Sequence, residues 1–159
     1  FVISPKADGY GSNYFLNQKN IGKILRAKGP KGSFIVDEVE NCNHIFVCSG
    51  SGIVPVYNML SSLKGLPESS KIYWGVKHKC DFTEAISYRF RESIDIFYSR
   101  ETKIDNIQSG RLPLEKILST LNEKTFLYGC GNVEMLKDLQ MVMSRIGVDC
   151  RGFKMDPFY

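Results

Sequence analysis

The sequence predicts an α/β fold in which a five-stranded parallel sheet carries helices on both faces. From Asn43 onward, apolar runs of strand length alternate with segments of helical periodicity, which is the pattern of successive β-α-β units. The first four of these runs are rich in Val, Ile, Phe and Tyr, as is typical of strands covered on both faces. The predicted strands are His44 to Cys48, Lys71 to Val76, Ile94 to Tyr98, Thr125 to Tyr128, and Arg151 to Met155.

Four helical stretches connect these strands. In the last of them, apolar residues including Met135 recur at helical spacing, and Gly147 stands where that helix would end. Such a stripe packs against the sheet more often than it forms a soft binding surface. The predicted helices are Pro55 to Leu63, Thr83 to Arg91, Leu114 to Leu121, and Val133 to Ile146.

Residues 1–40 follow a different pattern. Short strand-like pieces are separated by Gly, Pro, Asn and Ser without a crossover helix, which favours a fragment of an antiparallel sheet or barrel. We therefore expect two domains, residues 1–40 and residues 41–159. The chain begins as if in the middle of a strand, so we also expect that preceding residues are missing. The strand-like pieces are Phe1 to Ser4, Lys23 to Ala27, and Ser33 to Val36.

The composition narrows the class of protein. Hydrophobic residues make up 43% of the 159 residues, enough for one sizeable core, and no apolar run approaches the ~20 residues of a membrane helix. The formal charge of +4 is spread along the chain without the basic stripe that nucleic-acid binding needs. Five cysteines without C-x-x-C spacing argue against zinc and against a disulfide framework. We expect a cytoplasmic protein with no nucleic-acid partner, no metal and no membrane span.

A glycine-rich turn after the first strand is the main candidate for a nucleotide site. Gly50, Ser51 and Gly52 follow the strand, and Ile53 and Pro55 open the next helix. Glycines let a pyrophosphate approach backbone N–H groups, and the helix directs its positive end at the phosphates. A plain tight turn is the alternative, because the last position of the common G-x-G-x-x-G fingerprint is Pro here. Under the nucleotide hypothesis, Gly52→Val should abolish binding while the fold largely survives.

A second candidate site follows the third strand. Ser99 and Arg100, with Lys103 close by, suit a phosphate dianion, because arginine can bind two oxygens at once. A solvated pair between Arg100 and Glu101 is the alternative. Residues 77–79 are Lys, His and Lys at the position where an NAD site typically has a ribose-binding carboxylate. We therefore expect NADPH to bind more tightly than NADH.

A third candidate follows the fourth strand. Cys130 stands between Gly129 and Gly131, and Asn132 comes next. The flanking glycines predict a bare turn at the ligand-binding edge of the sheet, where Cys130 would contact the nicotinamide. A buried structural cysteine is the alternative, because that is the usual fate of this residue type.

These motifs, in this order and spacing, resemble the nucleotide domain of the ferredoxin–NADP reductase family over roughly residues 43–159. The resemblance implies that Gln108, Gly131, Asn132 and Met135 also belong to the nucleotide site. Asn106 stands where NADP-dependent members often carry an aromatic residue. The family's G-[ST]-G-I-x-P, S-R-E, I-Q-x-x-R and C-G-x-x-x-M elements correspond to Gly50 to Pro55, Ser99 to Glu101, Ile107 to Arg111, and Cys130 to Met135.

The resemblance extends into residues 1–40. Gly9 to Leu16 is similar to the family's G-x-x-S-N-[FY]-L turn, which implies contacts from Gly9, Gly11 and Ser12 to the pyrophosphate of FAD. Residues 29–34 resemble the hairpin that closes the flavin barrel. The R-x-[YF]-S segment that holds the isoalloxazine in relatives is absent, so the chain as given should hold FAD weakly. Some relatives end with an aromatic residue that covers the flavin ring, and the resemblance implies this role for Tyr159 or Phe158, with Tyr159 as a catalytic candidate beside Cys130. A frayed tail is the alternative.

The family implies an NAD(P)H-dependent flavoprotein reductase that uses NADP or NAD together with FAD. Hydride would pass from NADPH to FAD, and electrons would continue to a protein carrier such as ferredoxin, flavodoxin or haem. Because the flavin performs the redox chemistry, no residue is needed as a general acid or base. The alternative is a non-catalytic nucleotide-binding or docking domain of a larger electron-transfer complex.

Overall fold

A computed structural model of the chain describes residues 3, 5, 8–29, 32–37, 41–62, 70–101 and 108–158. The chain divides into two compact units, residues 1–33 and residues 34–159. The predictions made for Lys103, Asn106 and Tyr159 lie outside the described residues.

In the first unit, the described residues form helix where the sequence predicted only a turn and barrel strands. Helix α1 spans Tyr10–Leu16, and a 3₁₀ turn spans Gln18–Asn20. Lys23 to Ala27 has no strand partner among the described residues, and Ile24 within it is 95% exposed. The strand predicted there is wrong, as is the one at Ser33 to Val36, because a strand needs a neighbouring strand to satisfy its backbone. Neither piece is paired with a strand among the described residues. The piece at residues 1–4 lies largely outside the described residues.

The described part of the second unit is built on a six-stranded parallel sheet, one strand more than predicted. Its strands are β1 Asn43–Ser49, β2 Lys71–Val76, β3 Ile94–Tyr98, β4 Gln108–Ser109, β5 Thr125–Asn132 and β6 Gly152–Phe158. They are ordered β4-β3-β2-β1-β5-β6, and every neighbouring pair is parallel. The additional strand, β4, is only two residues long, so no hydrophobic run could reveal it.

Helices cover both faces of this sheet, as predicted. They are α2 Ile53–Ser62, α3 Asp81–Phe90, α4 Leu114–Leu118 and α5 Val133–Ile146. Helices α2 and α3 pack on one face, and α4 and α5 on the other. Gly147, in the left-handed region at φ 64°, ends α5 at the predicted position. None of the helices in the described ranges has both the length and the apolar character to cross a bilayer.

Successive strand residues alternate between two apolar clusters. Phe46 of β1, Trp74 of β2 and Tyr128 of β5 pack beneath α2 and α3, whereas Leu127 packs beneath α4 and α5. This burial on both faces is the reason that the strands read as continuous apolar runs. Met135 of α5 packs against the second cluster, so the helical stripe serves the core.

A polar cluster holds the segment before β1 against the sheet. Lys154 of β6 lies 2.7 Å from the Asp37 carboxylate and donates to the Ile35 carbonyl at 3.1 Å. The Tyr128 hydroxyl donates to the same carboxylate at 3.1 Å. The hydrogen bond from Lys154 holds the pKa of Asp37 below its ordinary value. Residues 34–37 are thus anchored within the second unit.

Candidate functional site

The strand order creates a switch point beside β1. The chain proceeds from β1 through β2 and β3 toward one edge, and then returns to β5 on the other side of β1. The carboxyl ends of β1 and β5 consequently lie side by side, with Cys48 and Cys130 as register partners. Open α/β sheets bind ligands at such a point, outside the carboxyl ends of the strands.

The predicted glycine-rich turn lies at this point. Gly50 to Gly52 form a 3₁₀ turn between β1 and α2, and Gly50 takes the left-handed φ of 53°. A Cβ built on Gly50 would meet no atom within 4 Å, so this side of the loop is open. The backbone N–H groups at the start of α2 carry the positive end of the helix dipole at the same edge. The loop therefore has the geometry to receive an anion.

Gly52 also has a packing role that the sequence did not predict. A Cβ on this residue would lie 2.3 Å from the Cys130 carbonyl oxygen and 2.8 Å from Gly131 Cα. The missing side chain thus lets the loop touch the backbone of β5. The expectation that Gly52→Val would leave the fold largely intact is wrong, because a side chain here collides with backbone that cannot rotate away.

The end of β5 is tied to the end of β1 by an equally close approach. Gly131 has φ 132°, and a Cβ on it would lie 2.4 Å from Ser49 Oγ. The backbone N–H of Asn132 donates to Ser49 Oγ at 2.9 Å. Asn132 also caps α5, because its Oδ1 accepts from the Glu134 N–H at 2.7 Å. The start of α5 is therefore fixed relative to the glycine loop.

Cys130 is not on a bare turn. It lies inside β5, fully buried in the cluster that also contains Cys48. Burial raises the pKa of the Cys130 thiol to about 12, with a smaller contribution from the Asp156 carboxylate, and burial likewise raises the pKa of Cys48. Both groups are thiols at neutral pH, which suits packing better than nucleophilic chemistry.

The carboxyl ends of β2 and β3 form the neighbouring part of this edge. The Ser99 N–H and hydroxyl both donate to the Val76 carbonyl, at 2.9 and 3.1 Å. The Arg100 N–H donates to the Lys77 carbonyl at 3.1 Å. These bonds bring the Lys77 and Arg100 backbones side by side, and both side chains are exposed. Among the described residues, neither cation has a carboxylate within salt-bridge distance.

The acidic residues near these cations are engaged elsewhere. The Glu101 carboxylate accepts a hydrogen bond from the Lys79 backbone N–H, and Lys79 Nζ lies 2.8 Å from Glu84. The Glu84 carboxylate raises the pKa of Lys79. The Arg100–Glu101 pair considered from the sequence does not form among the described contacts. Lys77 and Arg100 therefore leave net positive charge at this part of the edge.

The other predicted site residues lie in β4, in the first turn of α2 and in the first unit. Gln108 is exposed at the start of β4, beside Phe97 of β3. Ile53 is fully buried, so it can offer a ligand only its backbone, and Pro55 is half-buried in the first turn of α2. In the first unit, Gly9 is the N-cap of α1, and the Ser12 hydroxyl donates to the Gly9 carbonyl at 3.1 Å.

Sequence reasoning missed two residues that shape the site. Trp74 donates from Nε1 to the Gly50 carbonyl at 2.9 Å, and Ser49 accepts from the Asn132 N–H. A lone tryptophan in a buried strand is itself a signal, because a buried indole N–H usually finds an acceptor. The partner of that N–H, 24 residues away in the chain, could not be read from the sequence.

Comparison with known proteins identifies the domain. The family described as the oxidoreductase NAD-binding domain matches residues 46–141. The "anthranilate 1,2-dioxygenase electron transfer component" of Acinetobacter baylyi is 31% identical over 94% of this chain and 46% of its own length. A "CDP-6-deoxy-L-threo-D-glycero-4-hexulose-3-dehydrase reductase" from Yersinia pestis is 35% identical over 46% of this chain and 23% of its own. The chain thus spans less than half of each of these relatives.

The fold has a solved counterpart as well. A flavohemoglobin from Malassezia yamatoensis superposes with a TM-score of 0.68 at 16% identity, over 99% of this chain and 43% of that one. At this identity the likeness concerns the fold alone. Since the family match spans more than half of the sequence and includes the glycine loop and β5, the chain belongs to the oxidoreductase NAD-binding domain family, of the ferredoxin–NADP reductase type.

Proposed function

We propose that the chain is the pyridine-nucleotide-binding part of a flavin-dependent reductase, which passes hydride from NADPH or NADH to FAD. The observation that carries this proposal is the convergence of the glycine loop, the start of α2 and the end of β5 at one switch point. The relative named as an electron transfer component supports onward transfer of electrons to a protein acceptor. A ferredoxin, a flavodoxin or a haem protein would fill that role.

In this proposal the pyrophosphate of the nucleotide binds at the open side of the glycine loop. Gly50 leaves the backbone accessible, and the N–H groups of Ser51 and Gly52 lie beside the positive end of α2, whereas the Ile53 N–H donates to the Ser51 carbonyl. Pro55 lacks an N–H, but at this position in the first turn a helix has no use for one. The side chains of the loop contribute little, since the donors are backbone groups.

The nicotinamide would lie toward the end of β5. Gly131 is buried against Ser49 there, and the exposed Asn132 next to it is the N-cap of α5. Because Cys130 is protonated and fully buried, it would support the nicotinamide site indirectly, through the packing of β5, and not by proton transfer. Met135, in the first turn of α5, would support this arrangement from the core.

Ser99 and Arg100 would receive the 2′-phosphate of NADPH. Arg100 is exposed and has no carboxylate partner among the described residues, so its guanidinium is available for a phosphate. Lys77 adds a second cation at the same edge. Gln108, next in the sheet, and Lys103, outside the described residues, complete the proposed subsite.

The first unit would contribute to a flavin site. A Cβ on Gly11 would meet nothing within 4 Å, so a phosphate can approach the backbone of Gly9 and Gly11 at the start of α1, near Ser12. We interpret residues 1–40 as the last part of a flavin-binding domain and residues 41–159 as the nucleotide domain. When bound, FAD supplies the conversion of a hydride into single electrons.

Calorimetric titration of the whole chain with NADH and NADPH tests the nucleotide assignment. We expect both to bind, NADPH more tightly. Arg100→Ala should weaken NADPH by about tenfold, corresponding to ~1.5 kcal/mol, and leave NADH almost unchanged. The low end of the charge-assisted range applies because solvent and salt screen an exposed cation.

Arg89, an exposed arginine in the last turn of α3, provides the matched control. Arg89→Ala has the same change in charge and should alter neither affinity. If neither nucleotide binds to the natural chain, the proposed function is wrong. If both bind with equal affinity, the assignment of Ser99 and Arg100 to a 2′-phosphate is wrong, and the nucleotide site itself stands.

A further inference from the structure

We propose that Trp74 is a positioning residue for the nucleotide loop, holding the Gly50–Ser51 peptide so that its N–H faces the ligand. This proposal rests on the function proposed above and names how that site keeps its binding conformation. Trp74 would act through the loop backbone and would not touch the nucleotide.

Trp74 donates its hydrogen bond to the glycine loop from the buried side of that loop. Trp74 lies in β2 as the register partner of Cys48 and is 1% exposed. Its Nε1 donates to the Gly50 carbonyl oxygen at 2.9 Å. Phe82, in the first turn of α3, packs edge-on against the indole at 5.9 Å between ring centroids. The indole is therefore buried, and its N–H points at the Gly50 carbonyl.

Because the peptide group is planar, the hydrogen bond to the Gly50 carbonyl also sets the direction of the Ser51 N–H. In a trans peptide the C=O and the following N–H point in opposite directions. Because the Gly50 carbonyl points toward the buried indole, the Ser51 N–H must point away from it. An anion is attracted by N–H groups and repelled by carbonyl oxygens, so this orientation favours pyrophosphate binding.

The glycine loop needs the restraint from Trp74 because Gly50 does not restrict its own backbone conformation. Gly50 adopts φ 53°, and a Cβ there would meet no neighbouring atom within 4 Å. Glycine populates several backbone regions at similar cost, so local sterics do not select this one. Without the indole N–H, the Gly50–Ser51 peptide could rotate and present its carbonyl oxygen to the phosphates. Trp74 thus selects one orientation of the Gly50–Ser51 peptide, which Gly50 alone does not.

The sole tryptophan of the chain permits a single-atom test. Biosynthetic replacement of tryptophan by β-(3-benzothienyl)alanine changes only position 74 and substitutes sulfur for the indole N–H while keeping the ring shape. ADP-ribose, which has the pyrophosphate but no nicotinamide, is titrated calorimetrically into the whole chain. We expect its Kd to rise by about three- to tenfold, the effect of one lost hydrogen bond.

A second variant distinguishes the orientation of the Gly50–Ser51 peptide from the overall stability of the protein. Phe82→Leu removes the ring that supports Trp74 and keeps the hydrogen bond donor; it should lower the thermal midpoint while leaving the Kd of ADP-ribose within about twofold. An analogue-substituted chain that binds as tightly as the natural one overturns the proposal. So does a Phe82→Leu variant that weakens ADP-ribose as much as the analogue does. If the natural chain binds no ADP-ribose, the proposed function fails first, which is a distinguishable result.

Discussion

The two halves of the sheet's carboxyl edge are built in contrasting ways. At the ends of β1 and β5, contact is made by backbone: Gly52 and Gly131 leave no room for a Cβ, and Cys130 between them is fully buried. At the ends of β2 and β3, the exposed side chains of Lys77 and Arg100 dominate. In the proposed complex, the first half binds the part common to NADH and NADPH, and the second binds the part that distinguishes them. Cofactor preference can then change without disturbing the fold.

The largest effect expected from this contrast is on folding. Gly52→Ala places a Cβ 2.3 Å from the Cys130 carbonyl oxygen, so β1 and β5 must separate at their ends. We expect a loss of about 3 kcal/mol or more in the free energy of unfolding, measured by urea denaturation.

Gly50→Ala is the matched control for this substitution. The new methyl group would meet no atom, and the variant has only the cost of a left-handed φ, about 1–2 kcal/mol. Equal stability of the two variants would show that Gly52 is not packed against β5 in solution.

A second expected difference concerns thiol reactivity. Cys130 and Cys48 at the β1–β5 end are fully buried with raised pKa values, whereas Cys80, just after β2, is exposed. In the native protein, iodoacetamide should modify Cys80 at least ~100-fold faster than Cys130, because Cys130 reacts only when the structure opens. Mass spectrometry of the peptides measures the two rates. Similar rates would contradict the closed packing at β1 and β5, and denaturant should equalise them in any case.

The glycine loop and its position in the fold were both accessible from the sequence. The strand–glycine–helix order fixes Gly50 to Gly52 at a strand end, and the alternation of strands and helices fixes the parallel sheet. The role of Gly52 was not accessible, because the atom that it would strike belongs to Cys130, far away in the chain. The same holds for the bond from Trp74 to Gly50. A sequence shows where glycine occurs, but long-range packing decides what each glycine accommodates.

Residues 1–40 show a second limit of prediction from sequence, which concerns strands. The apolar pieces there predicted strands, yet Lys23 to Ala27 is unpaired in the described structure. The hydrogen bonds of a helix such as α1 join residues four apart in the chain, so local sequence can specify it. A barrel strand depends on neighbours, and Ile24 has no such neighbour among the described residues. β4 was missed for a related reason, since two residues acquire strand structure only from their pairing with β3.

The smallest expected effect compares one serine at each half of the edge. Ser49→Ala removes the acceptor of the Asn132 N–H, which joins β1 to the start of α5, and should lower the free energy of unfolding by about 1 kcal/mol. Ser99→Ala should lower it by less, because the Ser99 N–H still donates to the Val76 carbonyl at 2.9 Å and the lost hydroxyl is exposed. The two variants should also differ in nucleotide binding. Ser99→Ala should weaken NADPH selectively. Ser49→Ala should weaken NADH and NADPH alike, by about two- to fivefold, because the end of β5 is displaced. Paired urea denaturation and calorimetry on the two variants measure both differences. If Ser49→Ala discriminated between the two nucleotides, or if Ser99→Ala cost more stability than Ser49→Ala, the division of this edge into a backbone half and a side-chain half would be incorrect.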